Sequence, residues 1–170
     1  MNNSADKREA NSKKTAPPRL LELSRSSDTS VQLAVAKNPK TPMQALEYLS
    51  GHGKFTILKA VALNPNVSVG ILERLTGHRQ VTVVQAVASS TRAPLPLLER
   101  LAQHPDKNVR EHVIGNQLRT PKLFELVAHD QDSWIRLNVA LKLDCPPLRC
   151  SNWPGTRANR CGSGWPKCMV

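Results

Sequence analysis

The sequence predicts an all-α fold in which short paired helices stack into a solenoid, and three observations lead there. Aliphatic residues recur at a fixed spacing of 26: Val31, Ile57, Val83, Val109 and Ile135 keep it, as do Val35, Val61, Val87, Val113 and Val139. A second set keeps the same beat at an offset: Leu20, Leu46, Leu72, Leu98 and Phe124, with Leu23, Leu49, Leu75, Leu101 and Val127. Between the sets stand the prolines, asparagines and glycines that punctuate helices. A fixed period of this length marks units that lean on their neighbours rather than on one central core.

Taken in order, residues 1–14 are polar and basic, with Lys7, Arg8, Lys13 and Lys14 and no apolar run. They read as a disordered segment, not a secretory leader, which points to a cytoplasmic protein. The repeats are expected over residues 15–148. They begin with Thr15, Pro17, Pro18, Leu20, Leu21 and Leu23, a lone helix of the second type acting as the N-terminal end piece. In the first complete unit, Asp28 to Gly51, Ser30 stands where an N-cap belongs, and Thr56, Thr82 and Asn108 repeat it, with Trp134 the exception. The helix Val31 to Ala36 follows, its apolar stripe at i, i+3 and i+4 turned inward. Asn38, Asn64 and Asn116 fall where a left-handed residue ends a helix, and Pro39 and Pro65 enforce the stop.

The second helix opens at Thr41-Pro42, Ala93-Pro94 or Thr120-Pro121, runs through Ala45 to Leu49 and stops at Gly51, with Gly77 repeating the stop. Glu47, Glu73, Glu99 and Glu125 ride on it, facing water. Each helix has about eight residues, fewer than the roughly 12–15 an isolated helix needs, so stacking must hold them. The array closes with Ile135 to Leu141 and the aligned Pro146. Past Leu148 the period is lost, leaving residues 149–170 as an irregular tail rich in Cys, Trp and Gly.

The pattern Asp-x-x-Val-x-x-Ala-Val-Ala-x-Asn-Pro-x-Thr-Pro-x-x-Ala-Leu-x-x-Leu, from Asp28 to Leu49, resembles the leucine-rich repeat variant family. Asp106-Lys-Asn-Val-Arg110 and Asp132-Ser-Trp-Ile-Arg136 look like that family's repeat opening. The resemblance covers residues 15–148 and implies a right-handed superhelix of alternating α- and 3₁₀-helices. Some members carry a cysteine-rich iron–sulfur module before the repeats. The N-terminal residues here contain no cysteine, so the resemblance carries over neither a cluster nor a catalytic residue.

The net charge of +11 divides as +3 over residues 1–19, +4 over 20–144 and +4 over 145–170, so most of the excess lies in the tails. A basic balance favours nucleic acid or anionic surfaces as partners. Arg110 and Arg136 would begin a phosphate-binding stripe, yet each follows an aspartate, Asp106 or Asp132, by four residues, the spacing of a helical ion pair. The copies with Lys54 and Gln80 in place of the aspartate carry Leu58 and Val84 in place of the arginine, which favours the ion pair. Arg74 and Arg100 share an exposed position and have no evident local partner.

His52, His78 and His104 also keep the period. Rungs about 8–10 Å apart do not converge on one zinc, whose His nitrogens lie about 2.0–2.1 Å away, so a role at helix C-termini is expected instead. Cys145, Cys150, Cys161 and Cys168 lack the close Cys pair of structural zinc sites, and the tail reads as an unselected extension of the out-of-frame kind.

No phosphate loop, nucleophile elbow or metalloprotease motif is present, and no cofactor is expected. The sequence therefore points to a non-enzymatic interaction protein whose groove binds another protein. Two alternatives stand beside it. One is a duplex nucleic-acid backbone binder using the basic tails with Arg74 and Arg100. Base stacking is disfavoured by an aromatic content of 4%. The other is a metal- or iron–sulfur-associated accessory built on the tail.

Overall fold

The computed structural model describes residues 3–117 and 120–142. Among them are eleven helices and no strand: α1 (Asn3–Asn11), α2 (Pro17–Ser24), α3 (Thr29–Lys37), α4 (Met43–His52), α5 (Phe55–Ala62), α6 (Val69–Thr76), α7 (Val81–Ala88), α8 (Leu95–Leu101), α9 (Lys107–Ile114), α10 (Pro121–Ala128) and α11 (Ser133–Lys142). The tail cysteines and residues 149–170 lie outside the described residues. No described helix is long and apolar enough to cross a membrane.

Helix starts keep the sequence period. The odd helices are capped at Asp28, Lys54, Gln80 and Asp106, the even ones at Ala16, Pro42, Ser68, Pro94 and Thr120. Both types are α-helical, where the resemblance implied that one would be 3₁₀. The reason is visible in the first turns of the even helices, which close i→i−4 bonds: Leu20 to Ala16, Leu46 to Pro42, Leu72 to Ser68, Leu98 to Pro94 and Phe124 to Thr120, all at 3.1–3.2 Å. The odd helices do the same from Gln32 to Asp28 and Leu58 to Lys54.

The N-caps stand two residues earlier than expected. Asp28 accepts from the Ser30 N–H at 2.7 Å, and Asp106 and Asp132 accept from Asn108 and Trp134 at 2.8 Å. Asp28 and Asp106 have extended backbone, which lets a short carboxylate reach the amide two residues on. Ser30 and Asn108 are thus already inside the first turn.

Each odd helix packs on the next odd one, α1 on α3, α3 on α5, α5 on α7, α7 on α9 and α9 on α11, and each even helix sits against the odd helix that follows it. The buried apolar side chains form one cluster running from Ala10 to Val139. Val31, Val35, Leu46, Leu49, Ile57 and Val61 have no exposed surface within it. Helices this short have little stability alone, so the stack supplies what propensity cannot.

Three sequence expectations are corrected. Residues 1–14 were expected to be disordered, but α1 takes the place of an odd helix one period before α3, so α2 is not a lone end piece. Ala10 is fully buried, at the same position as Ala36, Ala62 and Ala88. Arg19 of α2 draws α1 down through Asp6 at 3.2 Å and Glu9 at 3.1 Å, while also bonding Glu22. The buried alanine, this ion network and the Asn38 amide, which bonds Ala10 O and Ser12 O, hold an otherwise polar segment in place.

Gly51 does not end α4, which continues to His52. The glycine requirement falls on Gly53, whose N–H bonds Leu49 O at 2.8 Å, and where a Cβ would stand 2.5 Å from that same oxygen. Asn38 is not left-handed either: its φ of −72° and ψ of 124° are extended.

That extended geometry sends the buried Asn38 amide across to the preceding loop. Its Nδ2 donates to Ala10 O at 2.7 Å and Ser12 O at 3.0 Å. Asn64 donates to Ala36 O at 2.8 Å and Asn38 O at 2.9 Å, and Asn116 to Ala88 O and Ser90 O at 2.7 and 2.9 Å. The same loops also hold themselves. Lys14, Lys40, Asn66 and Arg92 donate their backbone N–H groups to the side chains of Ser12, Asn38, Asn64 and Ser90, two residues back. Ser90, also buried, occupies the asparagine position but is too short to reach back one period.

Asn64→Ala is therefore expected to lower unfolding free energy by about 1–3 kcal/mol by stranding buried carbonyls. Ser90→Asn, which supplies the missing amide while keeping the acceptor for Arg92, should raise it by about 0.5–1.5 kcal/mol. Denaturant unfolding of the two variants checks both, and a destabilising Ser90→Asn would refute the equivalence of the sites.

Candidate interaction surface

The four arginines singled out by sequence go to two different places. Arg110 is buried, its side chain 5% exposed, so it is not a surface ligand. It does not pair with Asp106, which is occupied as an N-cap. Instead its Nε meets Asp130 at 2.6 Å and its Nη2 the same carboxylate at 3.0 Å, while Nη1 donates to His104 O and Pro105 O at 2.8 and 3.0 Å. Donating to the Asp130 carboxylate pushes the guanidinium further toward its charged form. Arg136 repeats half of this, with Nη1 on Asp130 O at 2.7 Å and Gln131 O at 3.1 Å.

Gln32 explains why. It holds the same position in its unit, and its Nε2 donates to Ser26 O at 2.9 Å. Where this position is polar it supplies a donor that ties down the loop entering an odd helix, and charge is optional. Leu58 and Val84 replace that tie with burial.

Arg74 and Arg100 are exposed and clip the preceding even helix. Arg74 Nη2 donates to Ser50 Oγ at 2.8 Å and Arg100 Nη2 to Thr76 Oγ1 at 3.1 Å, each 24 residues back. The histidines divide as well. His52 bonds Tyr48 O and stacks on its ring at 4.7 Å between centroids. His78 and His104 instead accept, through Nδ1 at 3.0 Å, the N–H groups of Gln80 and Asp106 two residues on. They brace the start of the following helix, not the end of the preceding one. Among the described residues no group of three or more His, Cys, Asp or Glu side chains is placed to hold a metal ion.

A shallow concave surface lies between α3 and α5. This cleft has a floor of Leu33, Ala36, Ala60 and Leu63, with Lys37 and Lys59 at its edge. Leu63 is 50% exposed. Apolar surface left open beside a stacked core is characteristic of binding sites. Sequence reasoning missed it because Leu33 and Leu63 sit outside the two periodic apolar sets.

The Asp28 carboxyl is held below its ordinary value of 3.8, chiefly by the Ser30 backbone N–H, and that of Asp132 by the Trp134 N–H, then by Lys107. The stability these caps supply is complete above that ordinary value and is lost as the pH falls through their lowered ones. The Asp28→Asn, Asp132→Asn variant keeps cap acceptors without a titrating group, so its melting temperature should fall less than that of the unaltered chain between pH 5 and pH 2. Parallel curves would refute the role of the two carboxylates.

No protein-family model matches this chain, and neither a curated protein nor a solved structure matches it at a significant level.

Proposed function

We propose that the chain is a right-handed α-solenoid of 26-residue repeats, of the leucine-rich repeat variant kind, and that it works without catalysis as a cytoplasmic scaffold binding another protein. The cleft between α3 and α5 carries this reading. Its apolar floor offers the desolvated contact that anchors protein interfaces, and Lys37 and Lys59 suit a partner segment with carboxylates beside its apolar side chains. The backbone beneath is braced, because Asn64 bonds α3 and the loop after it. A site on a rigid support loses less entropy on binding.

Affinity capture from nuclease-treated extract, comparing the unaltered chain with Leu33→Glu, Leu63→Glu, tests the proposal. Both side chains are partly solvent-facing, so the fold should tolerate the change, which circular dichroism checks. A defined protein partner retained after nuclease treatment and weakened at least tenfold by the double substitution is expected. Retention unaffected by the substitutions, or capture abolished by nuclease alone, would overturn it.

A further inference from the structure

Charge is sorted between the two sets of loops. The loops leading from odd to even helices, residues 10–17, 36–43, 62–69, 88–95 and 114–117, contain Lys13, Lys14, Lys37, Lys40 and Arg92 and no acidic residue. The loops leading from even to odd helices, residues 24–30, 50–56, 76–82, 102–108 and 128–134, balance Arg25, Lys54, Arg79 and Lys107 against Asp28, Asp106, Asp130 and Asp132. The first set lies side by side, since Asn38, Asn64 and Asn116 each bond the loop one period before, and Asn66 adds bonds to Pro39 O and Thr41 O.

Within that edge one column is built the same way on four successive rungs. Lys14, Lys40, Asn66 and Arg92 follow one another at the period of 26, each with its backbone N–H held by the side chain two residues back. All four side chains are exposed. Lys14, Lys40 and Arg92 enter none of the ion pairs among the described residues, in contrast to Arg19, Lys107, Arg110 and Lys122. The column thus holds three cations in no ion pair, Lys14, Lys40 and Arg92, on a braced backbone, with the neutral Asn66 between the last two.

We infer that this edge binds the phosphate backbone of duplex nucleic acid, with Lys14, Lys40 and Arg92 as its contacts. Rungs of packed helices stand about 8–10 Å apart, and a duplex strand advances about 3.4 Å per phosphate. Lys14 and Lys40, on successive rungs, therefore meet about every third phosphate, and Arg92, two rungs beyond Lys40, one about five or six phosphates further on. No described residue of these loops is aromatic, so the edge lacks both the usual anchors of a protein interface and a platform for unpaired bases. Contact limited to phosphates carries no direct sequence information. Lys37 borders both this edge and the cleft between α3 and α5, but the contacts Lys14, Lys40 and Arg92 do not line the cleft, so substituting them tests the edge without altering the cleft.

The test is fluorescence anisotropy of the full chain with a labelled 20-base-pair duplex across a salt series, comparing two triple variants with the same change in net charge. Lys14→Gln, Lys40→Gln, Arg92→Gln should bind about 100-fold more weakly at 0.1 M salt and flatten the log K against log salt slope by about 2–3, given roughly −0.9 per phosphate contact. Arg25→Gln, Lys54→Gln, Arg79→Gln, on the opposite edge, should change affinity less than fivefold. Duplexes of unrelated sequence should give the same values. Circular dichroism verifies folding, and the single Lys40→Gln variant, expected to lose about fivefold, serves if the triple variant unfolds. Equal losses in both triples, no binding at low salt, or poly-glutamate binding as tightly as duplex would overturn the inference, the last in favour of an acidic protein.

Discussion

The side-chain amide of asparagine at the end of an odd helix is the constraint around which the rest of the molecule is arranged. Apolar stripes alone would let neighbouring helices slide, since aliphatic contact is non-directional. Asn38, Asn64 and Asn116 remove that freedom by binding two carbonyls of the preceding loop from within a buried environment, where a misplaced partner is costly. The same residues use their Oδ1 atoms, at Asn38 and Asn64, to shape their own loops. One residue type therefore sets both the loop conformation and its register on the neighbour.

The opposite ends of the odd helices solve their own problem with a different chemistry. Asp28, Asp106 and Asp132 cap the first turn, and Gln32, Arg110 and Arg136 tie back the carbonyls of the entering loop. Where the aspartate is replaced by Lys54 or Gln80, Leu58 and Val84 go into the core instead. Polar bracing and apolar burial are alternatives at this position. The most committed version is Arg110 with Asp130, a pair with 5% and 4% of the side chains exposed. Breaking such a pair on one side costs far more than its net contribution, because the remaining charge has no water to turn to.

Much of this was legible in the sequence, within limits set by what spacing can report. The all-helical class was legible, and the aliphatic positions read as inward-facing, Val31, Val35, Ile57, Val61, Val83 and Val87 among them, lie in one buried cluster. The covariation of Asp106 with Arg110 reflected a true coupling, but four-residue spacing named the wrong partner, since Asp130 lies 20 residues downstream. Gln32 was the available clue that a donor, not a charge, was being conserved within the chain. The asparagines were visible as a recurring residue, yet carbonyls 26 and 28 residues away leave no local trace, so the helix-end habit of asparagine dominated the expectation. The segment before Thr15 hid its helix because a single buried Ala10 carries the period amid charged neighbours. The cation column Lys14, Lys40 and Arg92 kept the period openly, but a net charge assigned to the tails drew attention away from it.

Helix α1 has a consequence beyond its own packing. Its inner face lies on α3 through Ala10, while Ser4, Ala5, Lys7, Arg8 and Asn11 stand in solvent. A row of stacked helices that ended on bare valines would invite another molecule to continue it head to tail, the open-ended association that yields fibres. The outer face of α1 presents Ser4, Lys7, Arg8 and Asn11 in place of such valines, so this helix offers no aliphatic stripe for another to pack on.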